Sequence, residues 1–284
     1  MLETLKEQFT AKAPPELLKF YVRMKRKLFP RHYTRIPVLH KCLNDQVFHC
    51  CTQKTASMWI KEIMRDELVY KYSGLKPLDI EEVNKADVNT YSLPQKSIVS
   101  PLYFDFQKFS DLNKNEYRGF YVIRDPRDLL VSHYFSKRYS HKRNQNIDFI
   151  REKLEGLDKK EGLLYLIDYL NEIGNWGKIR TWLNNSDPNI RTVKFEDLTG
   201  PDSFNHFKSL FEFLDIRIPE PELMELLNEY DFDKLSGGRS KGEEKNTSHF
   251  RKGVAGDWVN HFDDDISNKM NEVVGDLLKG FSYS

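Results

Sequence analysis

The sequence predicts an α/β fold, and three observations carry that prediction. Three short apolar runs, QVFHCC (46–51), FYVIRD (120–125) and IRTVKFED (190–197), have the length and side chains of buried parallel strands. The intervals between them are long enough for the helical crossovers that parallel neighbours require. A strong helix start follows the second run: Asp125 as cap, Pro126 at the first helical position, then apolar residues at helical spacing in RDLLVSHYF.

Each element can be justified in turn. The opening PPELLKFYVRMKRKLFPRHYTR has the pattern of an amphipathic basic helix, with Leu17, Leu18, Tyr21, Val22 and Leu28 roughly on one side; of a membrane-surface helix and one packed on the protein, the second is preferred, so residues 1–40 are expected to be a helical segment packed on the domain that begins at 41. The run 48–62, FHCCTQKTASMWIKE, reads as a strand, a short polar bend and a helix. Such a bend gathers the free N–H groups and the positive dipole end of the helix, so it can bind an anion, phosphate above all. Only Lys54-Thr55 matches the glycine-rich phosphate loop, and no glycine stands nearby, so this is P-loop-like at most. Residues 156–214 are mostly helical, interrupted by the strand near Val193. Residues 236–258, SGGRSKGEEKNTSHFRKGVAGDW, are rich in glycine and charge and read as a long loop that closes as a lid over an anion.

Composition narrows the partners. The 284 residues suffice for one sizeable α/β core or two small ones. A formal net charge of +1 disfavours a nucleic-acid surface, so any anion site is a local cluster suited to a small ligand. Three cysteines, two of them adjacent at Cys50 and Cys51, offer neither a disulfide framework nor metal-ligand spacing. With no signal-peptide pattern and no apolar stretch long enough to cross a bilayer, the expected location is cytoplasmic, without stable membrane insertion.

Three basic elements lie far apart in sequence: Lys54, Arg124 with Ser132 on the following helix, and Arg251-Lys252-Gly253. Open α/β sheets gather ligands at the carboxyl ends of their strands, so the first two are expected side by side. CTQKTASMW resembles the 5′-phosphosulfate loop of the cytosolic-type sulfotransferases, Tyr-Pro-Lys-Ser-Gly-Thr-Thr-Trp. YVIRDPRDLLVSHYF is similar to their 3′-phosphate motif, Arg-Asn-Pro-Lys-Asp-x-x-x-Ser, and FRKGVAGDWVNHF to their Arg-Lys-Gly-x-x-Gly-Asp-Trp-x-Asn-His-Phe.

The resemblance runs from about residue 45 to the end. It implies one α/β domain, 41–284, with a central, mostly parallel sheet flanked by helices, and the donor 3′-phosphoadenosine-5′-phosphosulfate (PAPS), with no metal. Carried over by position, Lys54, Thr55, Ala56, Ser57 and Met58 would surround the 5′-phosphate and sulfuryl group, with Trp59 on the adenine. Arg124, Ser132, Arg251, Lys252 and Gly253 would hold the 3′-phosphate, and Phe195 would stand at an adenine-side tyrosine position.

The sequence also departs from the family. Ala56 replaces a glycine, which is expected to mean that the loop does not need a positive φ there, and Met58 removes a hydroxyl. The family's Lys-x-His-Leu-Pro aligns with IVSPLY so that Pro101 stands where the basic histidine belongs. Replacement bases within reach are Asp105, preferred for its place beyond the strand end, and His133, with Glu81 and Glu82 as further options. The implied function is transfer of a sulfuryl group to a hydroxyl or amine of a small-molecule acceptor, releasing adenosine 3′,5′-bisphosphate. A non-catalytic nucleotide-binding protein and a small-molecule kinase are the rival readings, and a homodimer is compatible with the chain. The acceptor pocket is expected to be aromatic, drawn from SPLYFDFQKF and SHYFSKRY.

Overall fold

The computed structural model describes Tyr33, 36–78, Val83, 92–141 and 144–283. The N-terminal segment expected to be helical therefore lies outside the described residues except near its end, and Glu81 and Glu82 lie outside them as well. Five parallel strands form one sheet: β1 (Gln46–Cys51), β2 (Lys76–Pro77), β3 (Ser97–Leu102), β4 (Tyr117–Ile123) and β5 (Ile190–Lys194), in the order β2-β3-β1-β4-β5. Helices of eight or more residues are numbered α1 (Ser57–Met64), α2 (Pro126–Phe135), α3 (Gln145–Glu155), α4 (Lys159–Glu172), α5 (Asn175–Leu183), α6 (Ser203–Phe213), α7 (Glu220–Glu229) and α8 (Asp264–Gly280).

Strand periodicity divides the core into two layers. Phe48 and Cys50 of β1, with Tyr121 and Ile123 of β4, face the side covered by α2, α4, α5 and α8. Their neighbours Val47, Cys51, Phe120 and Val122 face the side covered by α1, α6 and α7. Both faces are buried, which is why these strands read as continuous apolar runs. Cys50 and Cys51 are core residues, and burial pushes both thiols far up, so neither is a nucleophile.

Two strands are not visible as apolar runs. β2 has only two residues, and β3 contains Pro101, which cannot donate to a ladder. The fold tolerates this proline because the β1–β3 register shifts between Phe48 and Cys50, and among the described residues β2 pairs β3 only at Ser97 and Ile98.

The strand order places a switch point at β1. From it the chain runs first to β2 and β3 on one side, then to β4 and β5 on the other. Cys51 pairs with Val122, so the loops leaving β1 and β4 emerge together at the carboxyl edge of the sheet.

Candidate active site

The bend after β1 is held by unusual backbone geometry. Lys54 and Ala56 both sit in the left-handed region, at φ 72° and 57°. The expectation that alanine at 56 marks a loop with no need for positive φ is therefore wrong. The turn that starts α1 requires that conformation, and Ala56 adopts it with strain that a glycine would not carry. Thr55 turns its hydroxyl inward to Thr52 O at 2.8 Å. No side chain caps α1, so the first N–H groups of the helix face the cleft uncapped, beside the Ser57 hydroxyl, which hydrogen-bonds Tyr103 Oη at 2.8 Å.

Ala56→Gly is accordingly expected to stabilise the fold. Relief of left-handed strain is worth roughly 1–2 kcal/mol, and the freer unfolded chain takes back roughly 0.4–1 kcal/mol, leaving a gain of about 0.5–1 kcal/mol. Urea denaturation measures it, and a lower midpoint at unchanged slope would contradict this account of the loop.

Arg124 follows β4 and reaches across to the first loop. One Nη donates to Lys54 O at 3.2 Å, the guanidinium stacks over Phe195 at 4.4 Å, and Asp128 lies 3.7 Å away. Its buried Nε has no partner among the described residues, so a donor is left for a ligand. Asp128 does a second job that the sequence did not reveal. Its carboxylate accepts from Gly256 N at 2.7 Å and Trp258 N at 2.9 Å, fastening α2 to the C-terminal loop.

That loop is folded around Arg239, whose guanidinium donates to Glu243 O at 2.9 Å and Arg251 O at 2.8 Å. Arg251 and Lys252 both pair with the buried Asp257 at 2.5 Å, and Asn260 and His261 donate to the same carboxylate. These partners hold the Asp257 carboxyl far below the usual carboxylate range despite its burial. Gly253, at φ 72°, lies against Phe232 so closely that a Cβ would come within 2.3 Å of the ring.

These elements close one cleft of about 270 Å³. Lys54, Ala56, Ser57 and Met58 line it from the first loop, Arg124 and Ser132 from the second, and Arg251, Lys252 and Gly253 from the third. The apolar end is formed by Trp59, Phe195, Phe204 and Phe207, with Trp59 fixed by a bond from its indole N–H to Tyr230 O at 2.8 Å. Burial, joined by the charges of Arg124, Lys137 and Arg251, lowers Lys54 to about 8.

The two proposed bases are placed differently. Asp105 does not line the cleft; its carboxylate caps the helical turn Phe106–Ser110, accepting from Lys108 N at 2.8 Å. Its place just beyond the end of β3 puts it at the start of that short helix, which claims it as a cap. His133 is buried beside the cleft, not on its lining, and its Nε2 has no partner among the described residues. Burial, with Lys137 and Lys54 next, keeps that imidazole neutral. The imidazole that does line the cleft is His249, two residues before Arg251, a histidine in the glycine- and charge-rich loop that no motif marks in the sequence. Burial and then Lys54 and His141 lower its pKa, so it is neutral at pH 7.

The sulfotransferase domain family matches residues 10–282. The chain belongs to the sulfotransferase family. Among individual members it is 28% identical to sulfotransferase 6B1 of Danio rerio over 56% of this chain and 51% of that protein. Sulfotransferase 2A1 of Rattus norvegicus is 26% identical over 57% of this chain and 56% of its own length, so the chain spans about half the length of these two relatives. The amine sulfotransferase of Oryctolagus cuniculus is 22% identical over 93% of this chain and 92% of that protein. In structure, mouse sulfotransferase SULT7A1 complexed with PAP is similar at a TM-score of 0.58 with 18% identity, covering 84% of this chain and 86% of that one, a likeness of fold.

Proposed function

We propose that the protein transfers a sulfuryl group from PAPS to a hydroxyl or amine of a small-molecule acceptor and releases adenosine 3′,5′-bisphosphate. One observation carries this reading: residues from three distant segments, Lys54 and Ser57, Arg124 and Ser132, and Arg251 and Lys252, line a single cleft with an aromatic end at Trp59 and Phe195. An adenine fits the aromatic end, and two separate anionic groups fit the two basic positions.

The chemistry asked of the chain is modest. The acceptor oxygen forms a bond to sulfur while the bond from sulfur to the bridging phosphate oxygen breaks, and that oxygen keeps the electron pair. Lys54, Ser57 and the uncapped N–H groups of α1 meet the charge that develops there, an effect worth about 3–4 kcal/mol per well-placed donor. The anions of the donor raise Lys54 from about 8, so the ammonium is protonated when it is needed. His249 takes the proton released by the acceptor, being neutral and on the cleft wall.

The absence of the usual base at Pro101 favours one rival, a protein that binds the nucleotide without turning it over. Incubation with PAPS and a panel of phenols, alcohols and amines, read by mass spectrometry, separates the two. The transferase reading expects at least one sulfated product, whereas nucleotide binding with no product from the panel supports the rival. A cytosolic location belongs to the same proposal: the three cysteines are free and buried, and no helix among the described residues is long and apolar enough to cross a membrane. So does the division of the chain into one catalytic unit over 41–284 and an appended segment over 1–40.

A further inference from the structure

Of the three positions where the family's first loop carries hydroxyls, only one serves the cleft in this chain. Thr55 turns its hydroxyl inward to Thr52 O, and Met58 has none. Ser57 is left as the single hydroxyl that this loop presents to the cleft. It is 6% exposed and stands at the uncapped start of α1, so a neighbouring group rather than bulk water must orient it.

That neighbour is Tyr103. It follows directly on β3, at the place of the final proline of the family's Lys-x-His-Leu-Pro. Its half-buried ring packs against the core layer beneath α1, and its Oη lies 2.8 Å from Ser57 Oγ, its one hydrogen-bond partner among the described residues. Burial, with the neighbouring Cys51 next, pushes the Tyr103 phenol up to about 12, so it keeps its proton throughout the neutral range. The Cys51 thiol also lies beside Ser57, but a protonated thiol is only a weak partner.

Two hydroxyls in contact have two possible polarities, and an anion selects one of them. A phosphate oxygen accepts and does not donate, so Ser57 must give it its only hydroxyl proton. Ser57 Oγ is then open to accept from Tyr103, which always has a proton to give. The result is a directed chain from Tyr103 O–H to Ser57 O–H to the anion, in which each bond polarises and strengthens the next.

We propose that Tyr103 is a positioning residue of the cleft, donating to Ser57 Oγ and so aiming the Ser57 hydroxyl at the 5′-phosphate end of the nucleotide. The inference rests on the nucleotide reading of the cleft and deepens it: where the family pattern has a proline, this chain places a hydrogen-bond donor.

Two nucleotides and two variants test it by calorimetry. Adenosine 3′,5′-bisphosphate carries the 5′-phosphate, and adenosine 3′-monophosphate lacks it. Tyr103→Phe keeps the ring and its packing and removes only the hydroxyl; it should weaken binding of the bisphosphate about fivefold and change that of the monophosphate less than about twofold. Ser57→Ala should weaken the bisphosphate about tenfold, and adding Tyr103→Phe to it should cost nothing further, because the tyrosine acts through the serine. A tyrosine that merely supports the fold would weaken both nucleotides alike and add its cost to that of Ser57→Ala. Either of those outcomes, or full bisphosphate affinity in either single variant, overturns the inference while the nucleotide site stands. Failure of the wild type to bind the bisphosphate overturns the site assignment with it.

Discussion

Asp257→Ala should cost the nucleotide-free protein about 3 kcal/mol, because it removes the buried carboxylate shared by two cations and leaves Lys252 without its partner, while Arg251 keeps Glu244. At roughly 2–4 °C per kcal/mol, the melting temperature falls by about 10 °C. Part of the loss should return when adenosine 3′,5′-bisphosphate is added, since its 3′-phosphate offers Arg251 and Lys252 another anion. The pH dependence has a defined sign. The folded-state pKa of Asp257 is depressed, so its contribution is fully present above the unfolded carboxylate value near 3.8 and is lost as pH falls below it. The variant should therefore lose stability less steeply than the wild type below about pH 4. Differential scanning calorimetry with and without nucleotide checks both statements, and a variant within 1 °C of wild type would show that Asp257 does not organise the loop.

His249→Asn should lower turnover at least a hundredfold, the lower end of what a positioned proton acceptor contributes. Asparagine preserves size and polarity but cannot take the proton. Because burial and Lys54 lower the pKa of His249 below 6.5, the wild-type kcat/KM should hold down to about pH 6.5 and fall as the imidazole becomes protonated at lower pH. The variant should lack that acid limb, a signature that a purely structural histidine would not give. Asp105→Asn should change little, since asparagine caps a helix about as well as aspartate. A tenfold loss in Asp105→Asn together with a silent His249→Asn would return the role to Asp105.

Much of this was legible in the sequence because it rests on local signals. The runs that became β1, β4 and β5 are buried on both faces, and Asp125-Pro126 opens α2 as its chemistry dictates. The meeting of Lys54 with Arg124 followed from the rule that parallel strands present their ligand loops at one edge, and the 3.2 Å contact is its consequence. What stayed hidden depends on distant partners. β2 is too short to leave a pattern, and Ala56 gave no warning of its left-handed backbone because its neighbours, not its own propensity, impose it. Asp128 and Asp257 look like ordinary surface acids in the sequence, yet each is buried under donors from elsewhere. His249 acquires meaning only once the C-terminal loop is seen to bring it to the wall of the cleft that holds Lys54.

The central claim is that the cleft recognises a nucleotide through two separate anionic groups, and comparing two nucleotides tests it most directly. Thermal unfolding should rise clearly with adenosine 3′,5′-bisphosphate and much less with adenosine 5′-monophosphate at equal concentration, because only the first offers a 3′-phosphate to Arg124, Ser132, Arg251 and Lys252. Arg124→Ala should erase most of the difference, a loss of about 1.5–3 kcal/mol in binding for a charge-assisted contact. Equal stabilisation of the wild type by the two nucleotides would contradict the assignment of the cleft.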